Sequence, residues 1–182
     1  MKKIYLVRHC TADGQPPEAN LTEDGYSQAE SLVEFFKNRE IDRIISSPFR
    51  RAIQSIKPFG ENKNIQVEID DRLAERILSS ENLDNWQSKL EATYVDLDLK
   101  FTGGESSKEA MTRILSAVEE VFQGDEENTI IVTHGNLMSL LLNHFDQGFG
   151  FHQWKEITNP DVFLIEEGNS RFVRVWENKS KF

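Results

Sequence analysis

The sequence predicts an α/β fold: a three-layer sandwich with a mostly parallel central sheet flanked by helices, plus a small lid insertion. Three observations carry this expectation. Through the first half, short apolar runs alternate with segments of helical periodicity, the pattern of successive strand-helix-strand units. Two runs, Ile4-Tyr5-Leu6-Val7 and Ile130-Ile131-Val132-Thr133, read as buried strands. Each run leads into a histidine, His9 and His134. Open α/β sheets bind ligands beyond the carboxyl ends of their strands, so the two histidines are placed to meet at one site. At 182 residues and 38% hydrophobic content, the chain fits a single domain over 1–182, with nothing that resembles a linker.

The first strand is expected over Lys3 to Arg8. Thr22 is placed to cap a helix whose apolar face is Ala29, Leu32, Val33 and Phe36, at i, i+3, i+4 and i+7. Arg43 to Ser46 reads as the second strand. Ser47-Pro48 sets a capping residue before a proline at the first helical position, which predicts a helix over Phe49 to Ile56 with Arg50 and Arg51 in its first turn. Ile65, Val67 and Ile69 alternate as a third strand.

The rhythm then breaks over about 76–104, the expected lid, with one helix around Leu83, Trp86 and Leu90. It resumes with Met111, Ile114, Leu115, Val118, Val121 and Phe122 on one helix face, ended by Gly124. A strand over Thr129 to Thr133 follows, then a buried helix over Asn136 to Phe145. Val162 to Ile165 and Phe172 to Trp176, separated by Gly168-Asn169, predict a closing hairpin.

The formal charge of −10 argues against a nucleic-acid partner or an anionic membrane surface, because the long-range field repels both. Any anion site is therefore local. The single Cys10 excludes an internal disulfide and suits a reducing compartment. The apolar run after Met1-Lys2-Lys3 is too short for a signal peptide and no segment is long enough to span a bilayer, so the cytoplasm is the expected location. Nothing in the sequence specifies an oligomeric state.

Phosphoryl transfer from a monoester needs a nucleophile, cations around the non-bridging oxygens and an acid for the leaving oxygen. His9 offers a neutral ring nitrogen, provided that an acceptor such as a backbone carbonyl holds the other. Arg8 and Arg51 offer planar forks that match phosphate oxygens, and the first turn of a helix adds its own preference for an anion near Arg51. His134 is placed to donate to the same phosphate. Glu75, in Arg72-Leu73-Ala74-Glu75-Arg76, is the best-placed carboxylic acid, although Arg72 and Arg76 also offer it surface ion pairs.

These residues resemble the histidine phosphatase superfamily, which includes the cofactor-dependent phosphoglycerate mutases. Val7-Arg8-His9 is similar to its nucleophile motif, Ser46-Ser47-Pro48-Phe49-Arg50-Arg51-Ala52-Ile53-Gln54 to its second-arginine motif, Leu73-Ala74-Glu75-Arg76 to its acid motif, and Thr133-His134-Gly135 to its second histidine. Leu21-Thr22 with Gly25 and Gln28-Ala29, and Gly103-Gly104-Glu105-Ser106, are further matches, so the resemblance runs from about residue 3 to 135. It implies a phosphohistidine at His9, a phosphate pocket of Arg8, Arg51 and His134, and Glu75 as proton donor and then base for the attacking water. The family has glycine and often glutamate after the nucleophile, whereas Cys10 and Thr11 follow here. Cys10 fits where the glycine would, and Thr11 is a candidate to bond a phosphate oxygen.

Other residues carry plainer expectations. His144 reads as a helix-terminal residue near a favourable dipole end. His152, among Phe149, Phe151 and Trp154, reads as a packed loop residue that at most lines a pocket rim. A cysteine phosphatase needs an arginine six positions after its thiolate, and Pro16 stands there. No metal-ligand spacing is present and no cofactor is implied; Gly148-Phe149-Gly150 lacks the third glycine of a dinucleotide loop.

The expected substrate is a small phosphorylated metabolite, and the expected activity is hydrolysis of its monoester. The lid sets Arg76, Lys89 and Lys100 against Glu81, Asp84, Glu91, Asp96 and Asp98, with Trp86, Tyr94, Leu97, Leu99 and Phe101 among them. A mutase must hold a second phosphate, which calls for more cations than this. A phosphoglycerate mutase and a non-catalytic phosphate-recognition module are the two alternatives.

Overall fold

The computed structural model describes residues 1–169 and 171–177. The expected domain runs on to 182, and its last five positions lie outside the described residues. A six-stranded sheet forms the centre, in the order β3-β2-β4-β1-β5-β6. Its strands are β1 (Lys3–Arg8), β2 (Arg43–Ser46), β3 (Val67–Ile69), β4 (Asn128–Thr133), β5 (Asp161–Glu166) and β6 (Phe172–Arg174). β1 to β4 are mutually parallel, whereas β5 runs antiparallel to β1 and β6 antiparallel to β5.

The helices are α1 (Glu23–Phe36), α2 (Arg50–Lys63), α3 (Trp86–Val95), α4 (Ser107–Gln123), α5 (Gly135–Phe145) and α6 (Phe151–Glu156). Alternation along the strands divides the core in two. Ile4, Leu6, Ile45, Ile131, Phe163 and Ile165 pack with α4 and α5, while Tyr5, Val7, Ile44, Ile130, Val132 and Val162 pack with α1 and α2. Burial on both faces explains why β1 and β4 read as unbroken apolar runs.

The winding of the chain sets the site. After β1 the chain passes to α1 on one face, and after β4 it passes to α5 on the other. These strands are neighbours, with Arg8 paired to Thr133. A crevice therefore opens beyond their carboxyl ends, where the topology reverses.

Several expected boundaries shift. α2 begins at Arg50, with Phe49 and not Ser47 in the capping position, and it runs through Pro58 to Lys63 instead of stopping at Ile56. A proline in a helix interior costs about 3 kcal/mol. Burying Phe59 completely returns roughly 2 to 3 kcal/mol, and Gly60 adds a close approach that leaves no room for a Cβ against the Ile65 carbonyl. Ile65 precedes β3 instead of joining it, and the lid helix starts at Trp86, past Leu83. The hairpin forms as expected, with a shorter β6; Val175 and Trp176 continue it as a bulge, both donating to the Val162 carbonyl. Helix α6 has no counterpart in the sequence reading.

Thr22 caps α1 by accepting the Gly25 N–H at 3.0 Å, and Gly124 ends α4. The 76–104 segment packs on α6 through aromatic edges, Tyr94 against Phe151 at 6.2 Å and Trp86 against Trp154 at 6.4 Å. Among the described residues no helix is long and apolar enough to cross a membrane.

Candidate active site

Four of the predicted side chains converge beyond the carboxyl ends of β1, β2 and β4. Arg8 ends β1, and the His9 N–H donates to the Thr133 carbonyl at 3.1 Å, which ties the two strand ends together. The rings of His9 and His134 lie 5.0 Å apart. Arg51, in the first turn of α2, reaches His9 with its Nε 3.3 Å from the ring Nε2. The Arg8 guanidinium packs over Gly135, the first residue of α5; a Cβ there would stand 2.9 Å from the Arg8 Cζ.

His9 is held as its two ring nitrogens require for attack. Nδ1 lies 2.6 Å from the Cys10 carbonyl, which can only accept, so this nitrogen carries the proton. Nε2 then presents a lone pair, and the approach of the Arg51 N–H to it agrees. Burial, together with the charges of Arg51 and Arg8, pushes His9 down to about 3 against the upward pull of the Cys10 carbonyl. The ring is therefore neutral throughout ordinary working pH. The Asn159 side chain donates to the His9 carbonyl at 2.8 Å and fixes its backbone.

The two arginines are braced by carbonyls and not neutralised by carboxylates. Arg51, 2% exposed, donates Nη1 to the carbonyls of Gln15 and Pro16, and Arg8 donates Nη1 to the Ile157 carbonyl at 2.7 Å. Both keep their charge available for an anion. Two buried nitrogens at the site, Arg8 Nε and His134 Nδ1, have no hydrogen-bond partner among the described residues. Buried polar atoms are almost always paired, so two such atoms beside the bare Nε2 of His9 suit an anion with acceptor oxygens.

Glu75 sits on the N-terminus of α5. Its Oε1 accepts the N–H groups of Arg76 and Leu137 at 2.8 and 2.9 Å, while Oε2 accepts only that of Asn136 at 3.1 Å. Oε2 therefore has capacity left for a further partner. The alternative of surface ion pairs with Arg72 and Arg76 is not realised among the described residues. Arg72 pairs with Asp70 and Glu120, and Arg76 turns inward to the Glu105 carbonyl, Thr93 and Asn136.

Thr11 serves the backbone: its N–H donates to the Gln28 side chain and its carbonyl accepts the Thr22 N–H. Its hydroxyl makes no hydrogen bond among the described residues. Cys10 is buried, with its thiol pushed up to about 12 by burial, which leaves no thiolate at neutral pH. His152 is exposed on α6, not packed in a loop, and His144 is in the last turn of α5, as expected. Ser47, Asn136 and Asn159 escaped the sequence reading. Ser47 follows β2 as His9 follows β1 and His134 follows β4, a positional signal that its reading as a helix cap concealed.

The chain was compared with known proteins. A model described as histidine phosphatase superfamily (branch 1) matches residues 4–179. Phosphoserine phosphatase 1 of Hydrogenobacter thermophilus is 26% identical over 72% of this chain and 70% of its own. A glucosyl-3-phosphoglycerate phosphatase of Mycolicibacterium vanbaalenii is 26% identical over 78% of this chain and 72% of its own. Among solved structures, a mycobacterial glucosyl-3-phosphoglycerate phosphatase in complex with inorganic phosphate shares the fold with a TM-score of 0.76, at 23% identity over 97% of both chains.

Proposed function

The chain belongs to the histidine phosphatase superfamily, branch 1, and is a phosphoric monoester hydrolase; from that premise we propose that it works through a phosphohistidine at His9. The observation that carries this reading is the lone pair of His9 Nε2 beside Arg51, at a site where Arg8 Nε and His134 Nδ1 have no partner among the described residues.

In the first step the Nε2 lone pair attacks phosphorus while the bond from phosphorus to the ester oxygen breaks. The departing oxygen takes a proton from Glu75. In the second step water attacks the phosphohistidine, Glu75 takes its proton, and the electrons of the phosphorus–nitrogen bond return to His9 as inorganic phosphate leaves. Arg8, Arg51 and His134 bear the charge on the equatorial oxygens through both steps.

The substrate is a small phosphorylated metabolite. His134 is fully buried and Arg51 nearly so, so only a phosphate on a slender linker reaches them. Of the three cations of the 76–104 segment, Arg76 is buried and engaged and Lys100 pairs with Glu109, which leaves Lys89 alone as little hold for a second phosphate. The net charge of −10 disfavours a nucleic-acid partner, and the one reduced cysteine suits the cytoplasm.

Incubation with p-nitrophenyl phosphate tests the reading. Release of p-nitrophenol, abolished by His9→Ala, is expected; no release by the folded protein from mildly acidic to neutral pH would overturn it. Efficient isomerisation of 3-phosphoglycerate in the presence of 2,3-bisphosphoglycerate would overturn hydrolysis in favour of a mutase.

A further inference from the structure

We infer that Ser47 is a positioning residue: its hydroxyl holds His134 in the tautomer that points an N–H at the bound phosphate. The inference rests on the proposed site and adds to it a residue with a defined task.

Ser47 and His134 are both fully buried, and Ser47 Oγ lies 2.7 Å from His134 Nε2. The contact has two possible directions. If Nε2 carried the proton, Oγ would accept from it and also from the Phe49 N–H, 3.2 Å away. The Ser47 hydroxyl hydrogen would then have no acceptor, since Oγ has no further hydrogen-bond partner among the described residues. A buried hydroxyl that fails to donate forfeits its solvation with nothing in return. In the other direction Ser47 is fully paired: the Phe49 N–H donates to Oγ, the hydroxyl donates to a bare Nε2, and the one group left over is the His134 Nδ1 N–H.

The imidazole proton is then on Nδ1, the atom that has no partner among the described residues. This N–H needs an acceptor, and a phosphate oxygen is one. His9 and His134 thus share a tautomer and present opposite atoms to the substrate. His9 turns its lone pair to phosphorus because a carbonyl holds its Nδ1, and His134 turns its N–H to an oxygen because a hydroxyl holds its Nε2.

The position of Ser47 follows from the fold. Its N–H donates to the Val132 carbonyl at 2.9 Å, locking the end of β2 to β4 two residues before His134. Phe49 completes the cradle, its ring 4.8 Å from that of His134.

Long-range proton–nitrogen correlation of the imidazole groups in the ligand-free protein is the test. His134 is expected with a protonated Nδ1 and an unprotonated Nε2; a protonated Nε2 would overturn the assignment, whatever any variant does. Ser47→Ala is expected to lose that single tautomer and to weaken both inorganic phosphate binding and kcat/KM for p-nitrophenyl phosphate by about 10- to 100-fold, the scale of losing a partner that orients a ligating histidine. Ser47→Thr, which keeps the hydroxyl, restores the tautomer signal and the affinity. An unchanged tautomer and unchanged phosphate affinity in Ser47→Ala would also overturn it. A protein with the expected tautomer and no phosphatase turnover would refute the functional reading and leave the Ser47–His134 assignment standing.

Discussion

At the scale of the residue, the proposed chemistry turns on which oxygen of Glu75 is free. Oε1 is occupied by two N–H groups and Oε2 by one. Oε2 is thus the oxygen placed to pass a proton to the leaving group. Glu75→Gln removes that proton, and kcat/KM, which reports the first chemical step, is expected to fall far more for alkyl phosphates than for p-nitrophenyl phosphate. Parallel losses for both substrates would remove Glu75 from the acid role. Arg8, His9 and His134 were legible in the sequence because strand-ending polar residues after apolar runs have few places to go, and Arg51 because Ser47-Pro48 sets it in the first turn of a helix. Ser47 was not, because a serine before proline has a ready reading as a helix cap. Glu75 stood between two arginines in sequence, and only the fold shows that both turn away from it.

At the scale of the element, the N-terminus of α5 organises two halves of the site. Its N–H groups hold Glu75, and its first residue, Gly135, gives way to the Arg8 guanidinium. Gly135→Ala places a methyl group 2.9 Å from Arg8 Cζ, while the Ile157 carbonyl pins the same guanidinium from the other side. The arginine must shift, and a displacement of about 1 Å costs on the order of 100-fold in rate. Alanine favours helix over glycine, so thermal stability is expected to hold while kcat/KM drops about 10- to 100-fold. Wild-type kcat/KM in this variant would show that the close contact is idle. α2 shows where reading elements from sequence runs out. Pro58 reads as a stop, yet Phe59 and Gly60 beyond it are buried, and tertiary packing carries the helix through. α6 is only six residues long and its aromatics face α3, so its local pattern was too short to register.

At the scale of the molecule, the doubly wound topology gathers residues up to 126 positions apart, from Arg8 to His134, at one sheet edge. The site is buried, and its histidines are neutral at a cost to acid stability. His9 is held down to about 3, and His134 well below its ordinary value, in both cases first by burial. In the unfolded chain both take up a proton near pH 6.5. Between that value and the folded pKa the unfolded state binds more protons, so stability falls as pH is lowered from about 6.5 toward 3, by up to about 1.4 kcal/mol per pH unit per histidine. Urea unfolding across this window, compared with His9→Gln, is expected to show a shallower acid decline in the variant. Identical slopes would mean that His9 is protonated in the folded protein.

Covalent transfer to His9 is the step on which every other role at the site depends. Glu75→Gln slows attack of water on the intermediate but leaves a good leaving group able to depart, so this variant, mixed with p-nitrophenyl phosphate and quenched in alkali within a turnover, should accumulate the phosphoenzyme. Peptide mapping by mass is predicted to place one phosphoryl group on the peptide that holds His9. Turnover with the phosphoryl group on another residue would rule out His9 as the nucleophile.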